Sequence, residues 1–247
     1  MKRILFLVLA ISVITSVTLR AQAWKIRRYE GIVGIGTSNY FGDIGGYSKG
    51  ENILGIKDLS ISRTRPSFYL GARYKLYEVL ALKLNFTFGF LSGSDANKQN
   101  DARNLEFSAT IFEPSIQVEY SFLKEKASQS YLMMKGSGVR PFNSNISVYV
   151  FLGLGGGFFS PKAKENLENF EFDYSKATLV VPMGLGLKYG LSPKWSIGFD
   201  LGGRLTTTDY LDGYTSSYSK SNDVYYFGVI NFVYKMRTTR SGWPAFR

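Results

Sequence analysis

The chain has 247 residues and a formal net charge of +11, and it contains neither cysteine nor histidine. Without cysteine there can be no disulfide and no lipid-modified N-terminal cysteine, and without either residue the usual zinc sites are excluded. The positive charge alone does not indicate nucleic-acid binding, because the sequence has no basic recognition helix and no zinc or ribonucleoprotein motif. The 26 glycines and the aromatic content of 16% suit strands that face lipid and curve tightly.

The N-terminus has the organisation of a secretory signal peptide. Lys2 and Arg3 precede an apolar run over residues 4–17, which ends near the small residues Ala21 and Ala23. About 14 apolar residues are too few for a membrane-spanning helix of roughly 20. We therefore predict a signal peptide over residues 1–23 and a single mature domain over residues 24–247. No second long apolar run follows, which excludes a helical membrane protein.

A period of two in hydrophobicity runs through the chain and is clearest over residues 80–90. Every second residue from Leu82 to Phe90 is large and apolar, whereas the residues between them are small or polar. This alternation predicts a β-strand with one apolar face and one polar face. Proline is confined to the edges and irregularities of sheets, so Pro114 predicts a bulge or a barrel-edge irregularity in the fourth strand. Eight strands are predicted in all, over residues 29–37, 67–76, 80–90, 107–122, 147–159, 179–189, 195–206 and 224–235.

Eight alternating strands fit either a soluble lipocalin-like barrel or an outer-membrane barrel. The connections favour the membrane barrel, because those on one side are long, such as residues 160–176, and two of the three on the other side are tight. Residues 123–145 depart from this pattern as an unusually long turn. Aromatic residues also gather at both strand ends, as interfacial girdles do. One end carries Tyr74, Tyr77, Tyr120, Phe122, Tyr189, Trp195 and Tyr234, and the other carries Phe90, Phe158, Phe159, Tyr210 and Tyr226.

The polar faces of the strands carry charges of both signs and many glycines, which suits the packed interior of a narrow barrel. We expect a carboxylate such as Glu119 or Asp200 to meet Lys83 there, and Lys83→Leu to be tolerated better than Phe86→Lys on the lipid face. The predicted interior charges are Arg73, Lys83, Glu119, Lys188, Asp200 and Arg204. The predicted fold is all-β, an eight-stranded antiparallel transmembrane β-barrel surrounded by the lipid of a bacterial outer membrane.

A barrel of eight strands is filled by its own side chains and is too narrow to conduct large solutes. Small-barrel enzymes that modify lipids or cleave proteins use histidine as a base, and this chain has none. We therefore predict that the protein is not an enzyme and uses no cofactor, metal or small-molecule substrate. A lipid-modifying enzyme that works without histidine is the alternative. Asp209 and Asp212 are interpreted as solvated loop charges and not as calcium ligands.

Most of the net charge lies at the end that is expected to be periplasmic. The basic segment 124–140 and the tail 237–247 are interpreted as a docking face for an acidic periplasmic partner. For the tail, a disordered and solvated segment is the alternative. The candidate partner-binding residues are Lys124, Lys126, Lys135, Arg140, Arg237, Arg240 and Trp243.

Five strings occur in a characteristic order along the chain. They are NYFGD at 39–43, FEPSIQVEY at 112–120, YVFLGLGG at 149–156, VPMGLGLK at 181–188 and RLTTTDYLD at 204–212. In these strings the mature chain resembles the PorG-like family of outer-membrane barrels (DUF6089 type), which belongs to the type IX secretion system and is linked to gliding. The resemblance implies a non-enzymatic component that contacts the periplasmic ring of PorK and PorN. The alternative is a general structural or adhesion barrel of the OmpA-like or OmpX-like kind, which acts through its extracellular loops.

Overall fold

The computed structural model describes residues 23–42, 44, 61–95, 101–125, 145–169, 174–215, 222–239 and 241–245. The predicted signal peptide lies outside this part of the chain, except for Ala23. In the described part, no helix is long and apolar enough to span a membrane. The described residues form nine strands: β1 (Tyr29–Phe41), β2 (Arg65–Lys75), β3 (Leu80–Ser94), β4 (Leu105–Leu123), β5 (Ile146–Glu165), β6 (Ala177–Gly190), β7 (Trp195–Thr206), β8 (Val224–Thr238) and the two-residue β9 (Pro244–Ala245). The short 3-10 helices are Ala23–Arg27, Ile61–Arg63, Asp101–Arg103 and Asn166–Asn169.

Strands β1 to β8 close into a barrel. Each pairs antiparallel with the next, and β8 pairs back with β1 over a register that runs from Tyr29↔Met236 to Phe41↔Val224. The predicted all-β fold with eight antiparallel barrel strands is therefore confirmed. The end at which β1 begins and β8 ends also carries the β2–β3, β4–β5 and β6–β7 connections and is called the turn end. The opposite end is called the loop end.

Two strands extend well past the length that a bilayer requires. β4 has 19 residues and β5 has 20, whereas a membrane strand needs about 9–11. At the loop end the pairing of β4 with β5 continues from Ala109↔Pro161 to Leu105↔Glu165. The loop predicted over residues 160–176 is therefore wrong at its start, because its first residues continue the ladder of β5.

The bulge or irregularity predicted at Pro114 lies elsewhere. The register of β4 is continuous across Pro114 against both neighbours, and Phe86 on β3 lies directly opposite it. The irregularity of β4 falls at the turn end, between Ser121 and Leu123. The sheet thus accommodates the missing N–H group of proline without a change of register.

Large apolar side chains cover the outside of the barrel. Leu154 and Leu179, for example, are 71% and 68% exposed. Water-soluble proteins rarely expose so large and continuous an apolar surface. The outward apolar residues, here called the lipid belt, are Val33, Ile35, Phe68, Leu70, Leu82, Leu84, Phe86, Phe88, Phe112, Ile116, Val118, Val150, Leu152, Leu154, Phe158, Leu179, Met183, Leu185, Leu187, Phe199, Leu201, Leu205, Ile230 and Phe232. The barrel shows the inside-out arrangement that the loop lengths, the aromatic strand ends and the mixed charges of the polar faces predicted.

The interior has two halves of different chemistry. The half near the turn end holds buried charges, whereas the half near the loop end is an apolar core that includes Leu91, Phe107, Ile111 and Phe227. Phe159, which the sequence placed in an aromatic girdle, belongs to this core and is 3% exposed. The reason is strand parity, because its neighbour Phe158 takes the lipid-facing position on β5.

A glycine pair makes room for an interior ring. Gly184 on β6 lies opposite Gly202 on β7, and a Cβ atom on Gly202 would stand 2.6 Å from Cζ of the buried Phe151. We expect Gly202→Ala to destabilise the barrel by about 1–3 kcal/mol through this overpacking. The matched change Gly203→Ala, on the outward face beside Tyr226, should cost less. Urea unfolding in lipid vesicles measures the difference, and equal losses for the two variants would contradict the packing argument.

Candidate functional site

A network of buried ion pairs fills the turn-end half of the barrel. Nη1 of Arg73 lies 2.7 Å from Oε2 of Glu30, and Nε of Arg73 lies 2.5 Å from Oε2 of Glu119. Nζ of Lys83 lies 2.6 Å from Oε1 of Glu119 and 3.1 Å from Oδ2 of Asp200. All five side chains are buried. The structure therefore brings Lys83 together with both carboxylates that the sequence suggested as its partners.

Glu30 is the acidic centre of this network, although the sequence did not single it out. Its carboxylate lies 2.9 Å from Nζ of Lys75 and 3.0 Å from Nζ of Lys188, in addition to its contact with Arg73. The glycines of β1 blur the alternation that would have assigned Glu30 to the inner face. Its position two residues before the buried Ile32 is the signal that could have found it.

A second interior acid lies higher in the barrel. Oε2 of Glu113 is 3.5 Å from Nε of Arg204 and accepts a hydrogen bond of 2.6 Å from the hydroxyl of Tyr225. Arg204 also donates to the Gly202 carbonyl at 2.7 Å, and its guanidinium lies 4.6 Å from the ring centroid of Phe227. Together with the network below, these side chains occupy the bore between the two ends of the barrel.

Glu125 closes the mouth of the barrel at the turn end. It follows β4, and its carboxylate contacts Nζ of Lys235 and lies 3.8 Å from Nζ of Lys188. Partial burial raises the pKa of Glu125, but the two ammonium groups outweigh this effect and lower the pKa below its usual value. The start of the long β4–β5 connection is thereby held under the barrel, and residues 126–144 of this connection lie outside the described residues.

We expect Glu125→Gln to destabilise the barrel by about 1–2 kcal/mol at neutral pH, because Lys188 and Lys235 lose a counter-charge. A carboxyl group whose pKa is lowered on folding adds to the free energy of unfolding while it is ionised. This contribution is complete above the pKa of the unfolded chain, about 4.3, and is lost as the pH falls through the pKa of the folded protein. The difference in unfolding free energy between wild type and variant should therefore be constant above about pH 5.5 and shrink in acid. A difference that grows in acid would contradict the assignment.

The predicted partner-binding residues fall into three groups. Lys124 forms an ion pair of 2.7 Å with Glu78 at the turn end, where both side chains are about half exposed. Arg237 is exposed at the end of β8, and Trp243 lies in a hairpin in which Arg237 and Thr238 pair with Ala245 and Pro244 of β9. The tail is therefore ordered over these residues. Lys126, Lys135, Arg140 and Arg240 lie outside the described residues.

The loop end contains a buried acidic pair bound to a tyrosine. The hydroxyl oxygen of Tyr40 lies 2.8 Å from Oδ2 of Asp212 and 2.6 Å from Oδ1 of Asp223. Asp212 is fully buried, so its interpretation as a solvated loop charge is wrong. It turns inward because the amide of Tyr214 and the Tyr40 hydroxyl both donate to it. Within the described ranges, no cluster of three or more acidic residues is arranged to hold a metal ion.

One hydroxyl proton can serve only one of the two carboxylates, so the second contact requires a proton on a carboxyl group. Burial, followed by the nearby charge of Asp212, raises the pKa of Asp223 well above its usual value.

A carboxyl group whose pKa is raised on folding adds to the free energy of unfolding while it is protonated. This contribution is complete below the pKa of the unfolded chain, about 3.9, and is lost as the pH rises through the pKa of the folded protein. We expect Asp223→Asn, which donates without titrating, to remove this loss of stability with rising pH. An unchanged pH profile of thermal unfolding would contradict the shared proton.

The sequence matches a family described as a domain of unknown function (DUF6089) over residues 2–236. The chain belongs to the DUF6089 family. A comparison with curated proteins finds no match. This member of the family is an inside-out barrel with buried charges in the half near the turn end and an apolar core near the loop end.

Several solved outer-membrane proteins are similar to this chain at low identity. Ail, the attachment invasion locus protein of Yersinia pestis, is 14% identical with a TM-score of 0.41, covering 84% of this chain and 98% of Ail. Neisserial surface protein A (NspA) is 11% identical with a TM-score of 0.42, covering 84% and 96%. The outer membrane protein OprG from Pseudomonas aeruginosa is 12% identical with a TM-score of 0.42, covering 85% and 96%. Structural similarity at such low identity and TM-score gives no information on what this chain binds.

The barrel's own surface places it in a membrane. A closed barrel satisfies every backbone group within the sheet, which is the condition for strands to cross a bilayer. Its outside is the lipid belt and its inside holds ion pairs, the reverse of a soluble lipocalin-like barrel. The protein is therefore a β-barrel of the bacterial outer membrane.

Proposed function

We propose that this DUF6089 protein is a non-enzymatic component of the type IX secretion and gliding machinery, and that its turn end contacts the periplasmic PorK and PorN ring. The observation that carries the proposal is the construction of the turn end. A long basic connection starts there from Glu125, whose carboxylate is fixed by Lys188 and Lys235. A filled barrel with a long basic connection at one end is suited to anchoring an acidic partner and is not suited to transport.

The proposal requires the turn end to face the periplasm. Outer-membrane barrels have short periplasmic turns and longer extracellular loops, and in this barrel β1 begins and β8 ends at the turn end. The β2–β3 and β6–β7 connections are tight, at residues 76–79 and 191–194. The β4–β5 connection is the long exception, and its length supports a contact role.

Crosslinking in cells followed by purification of the barrel tests the proposal. The wild type should carry the ring proteins with it. The charge reversal Lys126→Glu/Lys135→Glu/Arg140→Glu should reduce their recovery about tenfold or more. A matched reversal at the loop end, Lys162→Glu/Lys164→Glu/Lys176→Glu, should leave recovery unchanged. A wild-type barrel that purifies without ring proteins would overturn the proposal.

The second candidate is a structural or adhesion barrel that acts through the loop end. The observation that favours it is the folded loop end, where β4 and β5 project together and Leu167 and Leu211 add to an apolar core. Under this candidate the loop-end reversal should abolish function and the turn-end reversal should leave it intact. Because residues 160–165 belong to β5, point changes are a cleaner test than deletion of residues 160–176.

A further inference from the structure

All three tryptophans of the chain lie in one corner of the turn end. Trp24 is in the 3-10 helix Ala23–Arg27, which contacts β8, and Trp195 begins β7. Trp243 precedes β9, which pairs with the end of β8. This region, comprising residues 23–29, 191–195, 237–239 and 241–245, is called the closure corner, because β8 meets β1 there.

Hydrogen bonds hold the three segments of the closure corner together. The Arg28 amide donates to Oγ1 of Thr238 at 3.1 Å, and the Arg27 guanidinium donates to the carbonyl of Pro193. The hydroxyl of Tyr29 donates to the carbonyl of Gly242 at 3.1 Å. The N-terminal segment is therefore bonded to both the β6–β7 turn and the C-terminal hairpin, and the corner is a built surface.

Among its described residues, the closure corner carries only positive charges. It contains Lys25, Arg27, Arg28, Lys194 and Arg237 and no carboxylate side chain, and none of these five cations forms an ion pair with a described residue. Their side chains are exposed or partly exposed. Three other described cations of the turn end have carboxylate partners, since Lys124 pairs with Glu78, and Lys188 and Lys235 pair with Glu125.

The corner is continuous with the lipid belt. Trp195 shares the outward face of β7 with Phe199, and its ring lies 4.8 Å from the ring of Tyr234. Trp243 is 71% exposed, and Arg28 lies 4.9 Å from the ring centroid of Trp24. Tryptophan and tyrosine rings favour the headgroup zone of a bilayer, and lysine and arginine beside them bind phosphate.

We propose that the closure corner binds the headgroup phosphate of an anionic phospholipid in the adjacent leaflet. The tryptophans lie against the glycerol and upper acyl region, and the unpaired cations meet the phosphate. This assignment gives Arg237 and Trp243 a lipid ligand in place of a protein partner. It is independent of the proposed secretion role, which is tested through residues 126–140.

Because all three tryptophans lie in the closure corner, tryptophan fluorescence reports which lipid is next to it. The full-length barrel is reconstituted in bilayers that contain brominated phosphatidylglycerol or brominated phosphatidylcholine at equal mole fraction, and quenching of tryptophan emission gives the relative association constant. We expect the wild type to prefer phosphatidylglycerol by about fivefold or more. The variant Lys25→Gln/Lys194→Gln/Arg237→Gln should lower this preference to about one.

The matched variant Lys162→Gln/Lys164→Gln/Lys176→Gln removes three positive charges at the loop end and should retain the wild-type preference. Unfolding in urea verifies that both variants fold. A wild type without headgroup preference, or a corner variant that keeps it, would overturn the proposal. If the wild type shows no lipid preference and its emission shifts on addition of solubilised ring proteins, the corner is a protein contact.

Discussion

Replacing Lys83 by leucine should destabilise the barrel by about 3–5 kcal/mol, because it removes one partner of a buried ionic network. Lys83 is 1% exposed and contacts Glu119 at 2.6 Å and Asp200 at 3.1 Å. Glu119 keeps the guanidinium of Arg73, but Asp200 retains only hydrogen bonds from Tyr149 and Asn231. The loss of unfolding free energy in lipid vesicles measures the effect. The expectation from sequence that Lys83→Leu is tolerated better than Phe86→Lys is thereby revised.

A double variant separates charge from packing. Asp200→Asn in the Lys83→Leu background removes the uncompensated carboxylate and should recover part of the lost stability, so the two changes should be strongly non-additive. If the two losses simply add, the cost of Lys83→Leu arises from packing and not from the ion pair.

Phe86→Lys should cost about 2–4 kcal/mol, because it places a charge on the lipid face near the middle of the membrane. Phe86 belongs to the lipid belt, and its ring stacks on Phe112 with centroids 6.4 Å apart. The neighbouring row continues from Phe112 to Phe158 at 6.5 Å. Folding yield and unfolding free energy in vesicles are the measurements.

Phe86→Leu is the matched control, since it keeps an apolar side chain at the same depth and should cost less than about 1.5 kcal/mol. In a soluble barrel the order would differ, because an exposed lysine would be harmless. A Phe86→Lys variant as stable as Phe86→Leu would therefore refute the membrane-facing assignment of the lipid belt.

The filled bore determines where function can reside. Ion pairs around Glu30 and Glu119 occupy the half near the turn end, and an apolar core around Phe107 and Phe227 occupies the other half. The two ends then differ in what they present. The turn end carries the basic connection and the closure corner, whereas the loop end carries the projecting β4–β5 pair and the buried Asp212–Asp223 pair.

Local alternation was sufficient to predict the barrel strands and which side chains share a face. The assignment of the apolar face to lipid also needed the loop lengths, the aromatic strand ends and the mixed charges of the polar faces. Because a period of two in hydrophobicity can be read from consecutive residues, Leu82, Phe86 and Phe88 could be assigned to one face without knowledge of any partner strand. The same alternation placed Lys83 and Asp200 on the polar face, which lies inside the barrel. It failed where glycine obscured the period, as at Glu30, and where a strand end was taken for a girdle, as at Phe159.

Contacts between distant parts of the chain were decided only by barrel closure. Pairing of β1 with β8 sets Tyr29 opposite Met236 and brings the three tryptophans into one corner, although Trp24 and Trp243 lie near opposite ends of the sequence. Glu113 meets Tyr225 and Arg204 across the bore for the same reason. The physical cause is that parity fixes only the face of a side chain, whereas strand register and the circular order of strands fix its partner.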